Sequence, residues 1–407
     1  MKTLLLQPLP SREMPLAEWF GPDVGRDVIL LGTAQVAAEY AGWAGQAIAF
    51  ERYAPCTAIE YTALRLAREH RIERVVAIAE CDILRGAQLR QALGLAGQTV
   101  ESALAFRDKV VMKRCVSAAG IEVAEHAPMD TAFELAAFLD RVGYPVVGKP
   151  RAGSGSIGTF VLRSEDDVEA LLRAVGELTG GLVEAFVTGE MLHVDGLVLR
   201  GEMPVVSVSR YVNGCLAFSR GESHMSVQLE AGDPLRARLV EFTQRVVAAM
   251  PCPEMMPFHL EVFHTPDGRL VFNEIASRVG GGRIREIVLR SSGVDLARSW
   301  IAHQLGLPPD VPPAKAAGRV YGDAVIPPRA GKIEGFARSL DLPGVLDLWV
   351  GCKEGDLLSP PEMSYAAIAT ILVEAESEAE LTRRLAAAAA AFEASCRFQT
   401  IDAEHSG

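Results

Sequence analysis

Residues 259–282 read HLEVFHTPDGRLVFNEIASRVGGG, and this stretch decides the fold that we predict for the chain. The segments HLEVF and RLVFNEI alternate apolar and polar residues as strands do, and the PDG between them favours a turn. A two-residue turn at Asp267 and Gly268 sets Glu261 directly opposite Glu274 on one face of a hairpin. Because like charges repel across a strand pair, this hairpin requires a cation between the two carboxylates.

Carboxylate oxygens are hard ligands that favour Mg²⁺, which commonly binds one or two carboxylates together with substrate phosphates. The hairpin is therefore a candidate nucleotide site. The alternative is two solvated charges on exposed strands. A longer or bulged loop would shift the register and separate Glu261 from Glu274.

The composition bounds the class of protein. The chain has 407 residues, which is more than a single core usually holds, so two to four domains are expected. A net charge of −12 argues against binding to nucleic acid or to an anionic membrane. Seven scattered cysteines fit a reducing cytoplasm better than a disulfide framework. The opening MKTLLLQPLP predicts a first strand rather than a signal peptide, and no apolar run reaches membrane-spanning length.

The pattern of strands and helices divides the chain into three parts. Residues 1–100 alternate strand-like and helical runs, which predicts a small parallel α/β layer resembling half a Rossmann unit. Gly32 there belongs to no GxGxxG fingerprint, so no dinucleotide is assigned. Residues 101–306 include an α+β piece at about 121–188 and the hairpin. The proline-rich LPPDVPPA then marks a boundary, and residues 307–407 are predicted as a capping domain.

Single helices are predicted over 104–119, about 284–305 and 377 to about 394. The first of them carries Lys109. The acidic end of the fourth strand, with Glu80 and Asp82, is predicted either to line a substrate cleft or to be an ordinary transition from strand to loop.

The segment GKPRAGSGSIG combines a lysine with a glycine-rich turn. Lys149 lies at a predicted strand end, and Gly153, Ser154, Gly155 and Ser156 follow it. Small residues let successive backbone N–H groups turn toward one anion, and such a nest beside a lysine binds phosphate. The segment does not match the Walker pattern. A plain hairpin turn is the alternative.

The run LVEAFV, residues 182–187, is an apolar strand that contains Glu184 and joins the inserted piece to the larger domain. An extended backbone of this kind can offer N–H and C=O groups to an adenine edge, although an edge-strand glutamate is the simpler interpretation. Glu190, His193 and Asp195 follow, and residues two apart on a strand share a face. A lone histidine there is usually structural.

The continuation IASRVGGGRIRE adds Arg278, Arg283 and Arg285 around glycines that include Gly281 and Gly282. Arginine forks bind phosphate or carboxylate through paired hydrogen bonds, and glycines allow close backbone approach. Solvated arginines at a helix start are the alternative. Positive charge in a first helical turn opposes the helix macrodipole, so we favour an anionic ligand at this position.

Together and in this order, these motifs resemble the ATP-grasp superfamily, and most closely its carboxylate–amine ligases of the L-amino-acid (dipeptide) ligase type. The resemblance covers roughly residues 1–400. It implies an α/β and α+β chain with the ATP-grasp fold: an N-terminal Rossmann-like domain, an inserted lid subdomain and a C-terminal capping domain.

The resemblance also implies roles for the motif residues in binding ATP. Lys109 and Lys149 would contact the nucleotide phosphates, and residues 153–156 would form a mobile loop. The residues that would hold adenine are Glu184, Ala185, Phe186 and Val187. Met191 stands where the family often has a glutamate for ribose, so His193 or Glu190 would serve instead.

For metal and substrate, the resemblance assigns Mg²⁺, with Mn²⁺ as a substitute, to Glu261 and Glu274. Arg278, together with Lys149, would stabilise the transferred phosphoryl group. Arg283 or Arg285, beside Gly281 and Gly282, would bind the carboxylate of an amino-acid substrate. Many family members have asparagine where this chain has Ala276, so Ser277, a water or a phosphate oxygen would complete a second ion, or that ion is held less tightly.

The implied reaction joins an amino acid or a similar small carboxylic acid to an amine through an acylphosphate, with release of ADP and phosphate. Related ligases often form homodimers. The alternatives are an enzyme of the biotin-carboxylase or purine-biosynthetic type that uses bicarbonate or formate, and a module that binds ATP without turnover. Carboxylases of that type carry a VEH-containing segment after the metal strand, where this chain has GGGRIRE.

Overall fold

The computed structural model describes residues 1–213, 218, 221–313, 318–360 and 367–399. The segment 400–407, which the predicted capping domain includes, lies outside the described residues. No helix in the described part of the chain is both long enough and apolar enough to cross a membrane.

The N-terminal part is a parallel sheet in the order β3-β2-β1-β4. Its strands and the helices between them are β1 (Thr3–Gln7), α1 (Leu16–Gly25), β2 (Val28–Gly32), α2 (Ala34–Tyr40), β3 (Gln46–Ala49), α3 (Ala58–His70), β4 (Arg74–Ala77) and α4 (Ile83–Leu93). Leu4, Leu5 and Leu6 are all buried, as expected for a parallel strand covered on both faces. The predicted parallel α/β layer is confirmed.

The predicted helix over 104–119 is wrong, because two helices meet at Asp108. They are α5 (Val100–Arg107) and α6 (Lys109–Ala118). Asp108 is extended, with φ −92° and ψ 108°, and its side chain accepts hydrogen bonds from the N–H groups of Val110 and Val111. It therefore caps α6. The cap starts the helix at Lys109, so that Lys109 and Lys113 share one face.

The inserted piece has a sheet of its own, in the order β5-β8-β6-β7, with two helices against it. Its elements are β5 (His126–Met129), α7 (Ala132–Val142), β6 (Val146–Pro150), β7 (Phe160–Leu162), α8 (Glu165–Val175) and β8 (Gly181–Ala185). Phe138, Val146 and Val183 are buried in its small core. The glycine-rich segment is the turn between β6 and β7, and β8 leads into the larger sheet.

A large sheet in the order β13-β12-β9-β10-β11-β14-β18-β16 forms the centre of the molecule. Residues 190–304 supply its first five strands and three helices. In chain order these elements are β9 (Glu190–Leu199), β10 (Glu202–Tyr211), β11 (His224–Gln228), α9 (Pro234–Ala249), β12 (Met255–His264), β13 (Leu270–Ala276), α10 (Ile284–Ser292) and α11 (Leu296–Gln304). The predicted helix over 284–305 is therefore two helices. Gly293, at φ 81°, ends the first, and the Asp295 side chain caps the second.

The sheet continues across the boundary predicted near residue 306. The C-terminal elements are β14 (Val320–Ile326), β15 (Gly331–Gly335), β16 (Val345–Val350), β17 (Leu357–Leu358), β18 (Ala369–Ala375), α12 (Glu378–Ser395) and β19 (Arg397–Gln399). Strand β14 pairs antiparallel with β11, setting Asp323 opposite Ser226. The proline-rich connection thus joins two parts of one sheet. The alanine-rich helix agrees with the prediction and packs on β14 and β18.

Candidate active site

The hairpin β12–β13 sets Glu261 opposite Glu274, as predicted, although its loop and its strand pairing both differ from the prediction. The loop is one residue longer than expected: the Thr265 N–H donates to the Arg269 oxygen at 3.0 Å, and Gly268 has φ 82°. This loop alone would shift the register. A bulge in β13 adds one residue and restores the pairing, so the two departures cancel.

Asn273 is the extra residue in that bulge, and it connects the metal candidates to the lysines. Its amide Nδ2 donates to Glu261 Oε2 at 2.8 Å, and its Oδ1 accepts from Lys149 Nζ at 3.2 Å. Its backbone oxygen accepts from Lys113 Nζ at 2.9 Å. Neither Asn273 nor Lys113 was predicted as a site residue from the sequence. The available signals were an asparagine inside an apolar strand next to Glu274, and a lysine four residues after Lys109.

A cavity of about 1700 Å³ lies over this face of the sheet, between the N-terminal part, the inserted piece and the C-terminal strands. Most of the predicted site residues line it. They are Lys109, Lys149, Gly153, Ser154, Gly155, Ser156, Glu184, Ala185, Phe186, Val187, Glu190, Glu261, Glu274, Arg278, Gly281, Gly282, Arg283 and Arg285.

Two lysines enclose the buried carboxylate of Glu184. Lys149 Nζ lies 2.6 Å from Oε1, and Lys113 Nζ lies 3.0 Å from Oε2. Burial alone would raise the pKa of Glu184, but the two ammonium groups outweigh it and lower that pKa to about 2. The side chain therefore binds the lysines rather than adenine. The N–H groups of Ala185 and Phe186 donate to the backbone oxygens of residues 125 and 145, which leaves their carbonyl groups and Val187 for an adenine edge.

The junction of α5 and α6 holds the glycine-rich turn. Lys109 Nζ donates to the Gly153 oxygen at 2.8 Å and lies 3.2 Å from Glu274 Oε2. The Arg151 guanidinium lies 2.6 Å from Asp108 Oδ2. Lys109 thus stands between the turn and a metal candidate, where it can reach a phosphate.

Arg278 is held at the cavity by a glutamate of the N-terminal part. Its Nε donates to Glu80 Oε2 at 2.5 Å, and Arg107 pairs with the same carboxylate. Burial would raise the pKa of Glu80, but the two guanidinium groups lower it to about 2. Glu80 lines the cavity. Asp82, in contrast, is fully buried against Tyr53 and Arg85.

The prediction that His193 contacts the nucleotide is corrected. His193 is 1% exposed and is missing from the described residues that line the cavity. Its Nδ1 lies 2.5 Å from Asp195 Oδ2, and its Nε2 lies 2.6 Å from Ser226 Oγ. Both ring nitrogens are bound within the protein. Glu190 does reach the cavity, where it pairs with Arg210 at 2.6 Å.

Arg285, the other arginine predicted to bind a substrate carboxylate, is held by contacts within the protein. Its Nε and Nη2 bind Asp295, its Nη1 donates to the Glu13 oxygen at 3.0 Å, and its guanidinium lies 4.6 Å from the Trp19 ring centre. These contacts use three of the five N–H donors of Arg285, whose side chain lines the cavity. Asp295 thus compensates part of the positive charge at this helix start, for which the sequence predicted an anionic ligand.

Arg283 lines the cavity and pairs with Glu286 at 3.0 Å and with Asp347 at 2.7 Å. Its backbone N–H donates to Asp323 Oδ2 at 2.9 Å. Asp323 is 3% exposed, and burial raises its pKa to about 6. Asp323 was not predicted from the sequence, because its position depends on the long-range pairing of β14.

The triple glycine permits close packing on buried polar side chains. A Cβ at Gly282 would lie 2.6 Å from Asp323 Oδ2, and one at Gly280 would lie 2.8 Å from Asp195 Oδ1. Gly281 meets no such atom and faces the cavity. The predicted close approach of the backbone therefore exists. At Gly280 and Gly282, however, the backbone approaches buried side chains of the sheet.

His193, Asp195 and His259 have the composition of a metal site. The nitrogen-to-oxygen distances are 2.5 Å from His193 and 2.8 Å from His259 to Asp195. Two ligands of one tetrahedral zinc lie about 3.3 Å apart, given bonds of about 2.0–2.1 Å. In this structure the cluster is therefore a hydrogen-bonded network.

Comparisons with known proteins agree with this geometry. Residues 114–281 match the model of the ATP-grasp domain, and residues 324–397 match that of the L-amino acid ligase C-terminal domain 2. An L-arginine-specific L-amino acid ligase of Bacillus subtilis is 28% identical over 357 residues, which cover 85% of this chain and 86% of that protein.

Solved structures show the same fold. The L-amino acid ligase of Bacillus licheniformis superposes with a TM-score of 0.75 at 18% identity, covering 99% of each chain. The biotin carboxylase domain of a Hydrogenobacter thermophilus 2-oxoglutarate carboxylase, solved with MgADP and bicarbonate, gives 0.69 at 15% identity over 98% of this chain and 91% of that one. The chain contains an ATP-grasp domain and an L-amino acid ligase C-terminal domain, and it is homologous to the L-amino acid ligases.

Proposed function

We propose that this protein is an ATP-dependent ligase that joins the carboxylate of one amino acid to the amine of another through an acylphosphate. The observation that carries this proposal is the pairing of Glu261 with Glu274 at the cavity, with Lys109, Lys149 and Arg278 around them. Two carboxylates and three cations at one cavity wall suit a triphosphate and its metal ion.

The residues fit a divalent cation. Glu261 and Glu274 offer hard oxygen ligands from two adjacent strands, and both line the cavity. Burial would raise the pKa of Glu261, but His259, Lys149 and Asn273 lower it to about 2, so this ligand is ionised at neutral pH. We propose Mg²⁺ as the ion, with Mn²⁺ as a substitute. When bound, the ion neutralises charge on the phosphates and aligns the transferred group.

The proposed first step is attack by a substrate carboxylate oxygen on the γ-phosphorus, which breaks the bond to the ADP oxygen. Lys109 and Lys149 would hold the phosphates, and Arg278 would stabilise the charge on the phosphoryl group as it moves. The turn at 151–158 would cover the phosphates and exclude water, which would otherwise hydrolyse the acylphosphate.

The proposed second step is attack by an amine nitrogen on the carbonyl carbon of the acylphosphate. Phosphate leaves with the oxygen that joined it to carbon, and the nitrogen loses its proton. Beyond Arg278 the cavity wall carries Arg283, which could bind a substrate carboxylate, and Asp323, which could accept an ammonium group. The name of the Bacillus subtilis relative makes L-arginine the first amino acid to test as a substrate.

Mass spectrometry of reactions containing ATP, Mg²⁺ and mixed amino acids tests this function. We expect a dipeptide, with ADP and phosphate formed in equal amounts, and no dipeptide with Glu274→Gln. Turnover with bicarbonate or formate but with no amino acid would contradict the proposal and favour a carboxylase-type enzyme. Tight ATP binding without phosphate release for any mixture would favour a binding module.

A further inference from the structure

A buried polar chain lies behind Glu261 on the cavity side of the sheet. Asp195 on β9 is paired in register with His259 on β12, and their side chains meet at 2.8 Å, from His259 Nδ1 to Asp195 Oδ1. The other oxygen of Asp195 contacts His193, which in turn contacts Ser226. All of these side chains are buried.

The direction of the hydrogen bond to Asp195 fixes how His259 faces the site. An ionised carboxylate accepts and does not donate, so Nδ1 of His259 is the donor. The ring then presents its Nε2 to the cavity side, where it lies 3.5 Å from Glu261 Oε1. His259 and Asp195 therefore form a pair whose Nε2 end faces a metal candidate, and the Tyr211 hydroxyl lies 3.5 Å from the same nitrogen.

Each oxygen of Glu261 has its own neighbour. The Asn273 amide donates to Oε2 at 2.8 Å, and the His259 ring lies beside Oε1. A glutamate side chain has several rotatable bonds and must lose that freedom to bind an ion in a fixed geometry. Groups behind a metal ligand commonly supply this order, and their loss costs about 10- to 100-fold in metal affinity or activity.

The loop after β13 closes over the same pair. A Cβ at Gly280 would lie 3.0 Å from His259 Nδ1 and 2.8 Å from Asp195 Oδ1. The absence of a side chain at Gly280 thus lets the backbone pack directly on the dyad. This packing holds the imidazole from the side opposite the sheet.

We infer that His259, anchored by Asp195, is a positioning residue that orients the Glu261 carboxylate for the divalent ion. The inference rests on the metal site of the proposed function. It adds to that site a supporting layer behind the Glu261 carboxylate, made of Asp195, His259 and Gly280. Its effect should appear in the affinity for metal and not in the affinity for the nucleotide alone.

The experiment titrates Mn²⁺ into the full-length protein with an imido analogue of ATP, and follows free Mn²⁺ by electron paramagnetic resonance. The variants are His259→Asn and Asp195→Asn, and Glu261→Gln serves as the reference that removes a ligand. His264→Asn is the matched control, because His264 lies on the same strand at the far end from Asp195. Analogue binding without metal and thermal unfolding are measured in parallel.

We expect His259→Asn to weaken Mn²⁺ binding by about 10- to 100-fold, Asp195→Asn to weaken it less, and His264→Asn to leave it unchanged. Metal-free binding of the analogue should stay at the wild-type value in all three. Wild-type Mn²⁺ affinity in a folded His259→Asn or Asp195→Asn protein would overturn the inference while leaving the metal site intact. Failure of the wild-type protein to bind Mn²⁺, or of Glu261→Gln to weaken it, would overturn the metal site itself.

Discussion

The carboxylates at the two ends of the cavity have pKa values that are shifted in opposite directions. At the end that we propose for the phosphates, called the phosphate end below, Glu184 lies between two lysines and Glu80 between two arginines, and the cations lower both pKa values to about 2. At the far end, burial raises the pKa of Asp323 to about 6, and its hydrogen-bond donor among the described residues is a backbone N–H. Burial is similar at both ends, so the cations make the difference.

At one end of the cavity, the protein itself supplies the positive charges that compensate the carboxylates. At the other end, a substrate would have to supply them. The phosphate end is already charged and internally paired, which suits preorganised electrostatic stabilisation of a transferring phosphoryl group. The far end leaves Asp323 with little compensation. A bound ammonium group would supply the missing charge there, in agreement with an amine substrate.

The largest effect should come from the metal pair at the phosphate end. Glu274→Gln removes one charged oxygen ligand, and we expect phosphate release to fall by at least about 100-fold. The control is Glu202→Gln, an exposed glutamate on β10. Wild-type turnover in Glu274→Gln would remove the basis for the metal assignment.

Breaking the lysine cluster should cost stability as well as affinity. Lys149→Met leaves Glu184 buried with Lys113 alone, and loss of one partner of a buried ion pair costs about 3–5 kcal/mol. Urea unfolding measures this loss, and nucleotide titration should show weaker ATP binding. Adding Glu184→Gln should restore part of the stability without restoring ATP affinity. Unchanged unfolding in the single variant would show that the cluster is not coupled as described.

At the far end, stability should increase when the carboxyl is removed. The folded-state pKa of Asp323 is raised to about 6, so its ionisation destabilises the fold as the pH rises through that value. Asp323→Asn should therefore stabilise the protein at pH 8 by at most about 3 kcal/mol, at 1.36 kcal/mol per pKa unit, and should not stabilise it below about pH 4. Urea unfolding at both pH values measures this, with the exposed Asp341→Asn as control. A stabilisation that is equal at both pH values would contradict the account.

The smallest effect is expected at Arg285. Arg285→Lys loses the fork that binds Asp295 and the stacking on Trp19, at a cost of about 1–3 kcal/mol in unfolding free energy. The substrate KM should not change, whereas Arg283→Lys should raise it. A selective rise in KM for Arg285→Lys would restore its predicted role in substrate binding.

The sequence predicted local elements well, because their signals are local. The alternation of strands and helices in residues 1–100, the paired strands around PDG and the lysine before the glycine-rich turn each depend on neighbours in sequence. The predicted pairing of Glu261 with Glu274 is confirmed, but the two-residue turn from which it was predicted is wrong. The loop and the bulge at Asn273 depart from ideal geometry by one residue each, in directions that cancel.

Most of the errors concern long-range partners, and the missed helix break at Asp108 is a local exception. Asp108 ends one helix and caps the next, and a continuous apolar pattern across it concealed the break. Arg285 looked available until the fold brought Glu13 and Trp19 to it. Asp323 joins the site through the pairing of β14 with β11, which no local pattern specifies. His193 looked accessible because strand alternation gives the face of a residue but not what covers that face.

The most direct test of the central claim follows the oxygen of the substrate carboxylate. An amino acid labelled with ¹⁸O in its carboxylate is incubated with ATP, Mg²⁺ and the protein, and the phosphate and peptide are analysed by mass spectrometry. The acylphosphate route predicts one labelled oxygen in each phosphate released with a peptide. Unlabelled phosphate accompanying peptide formation would contradict it.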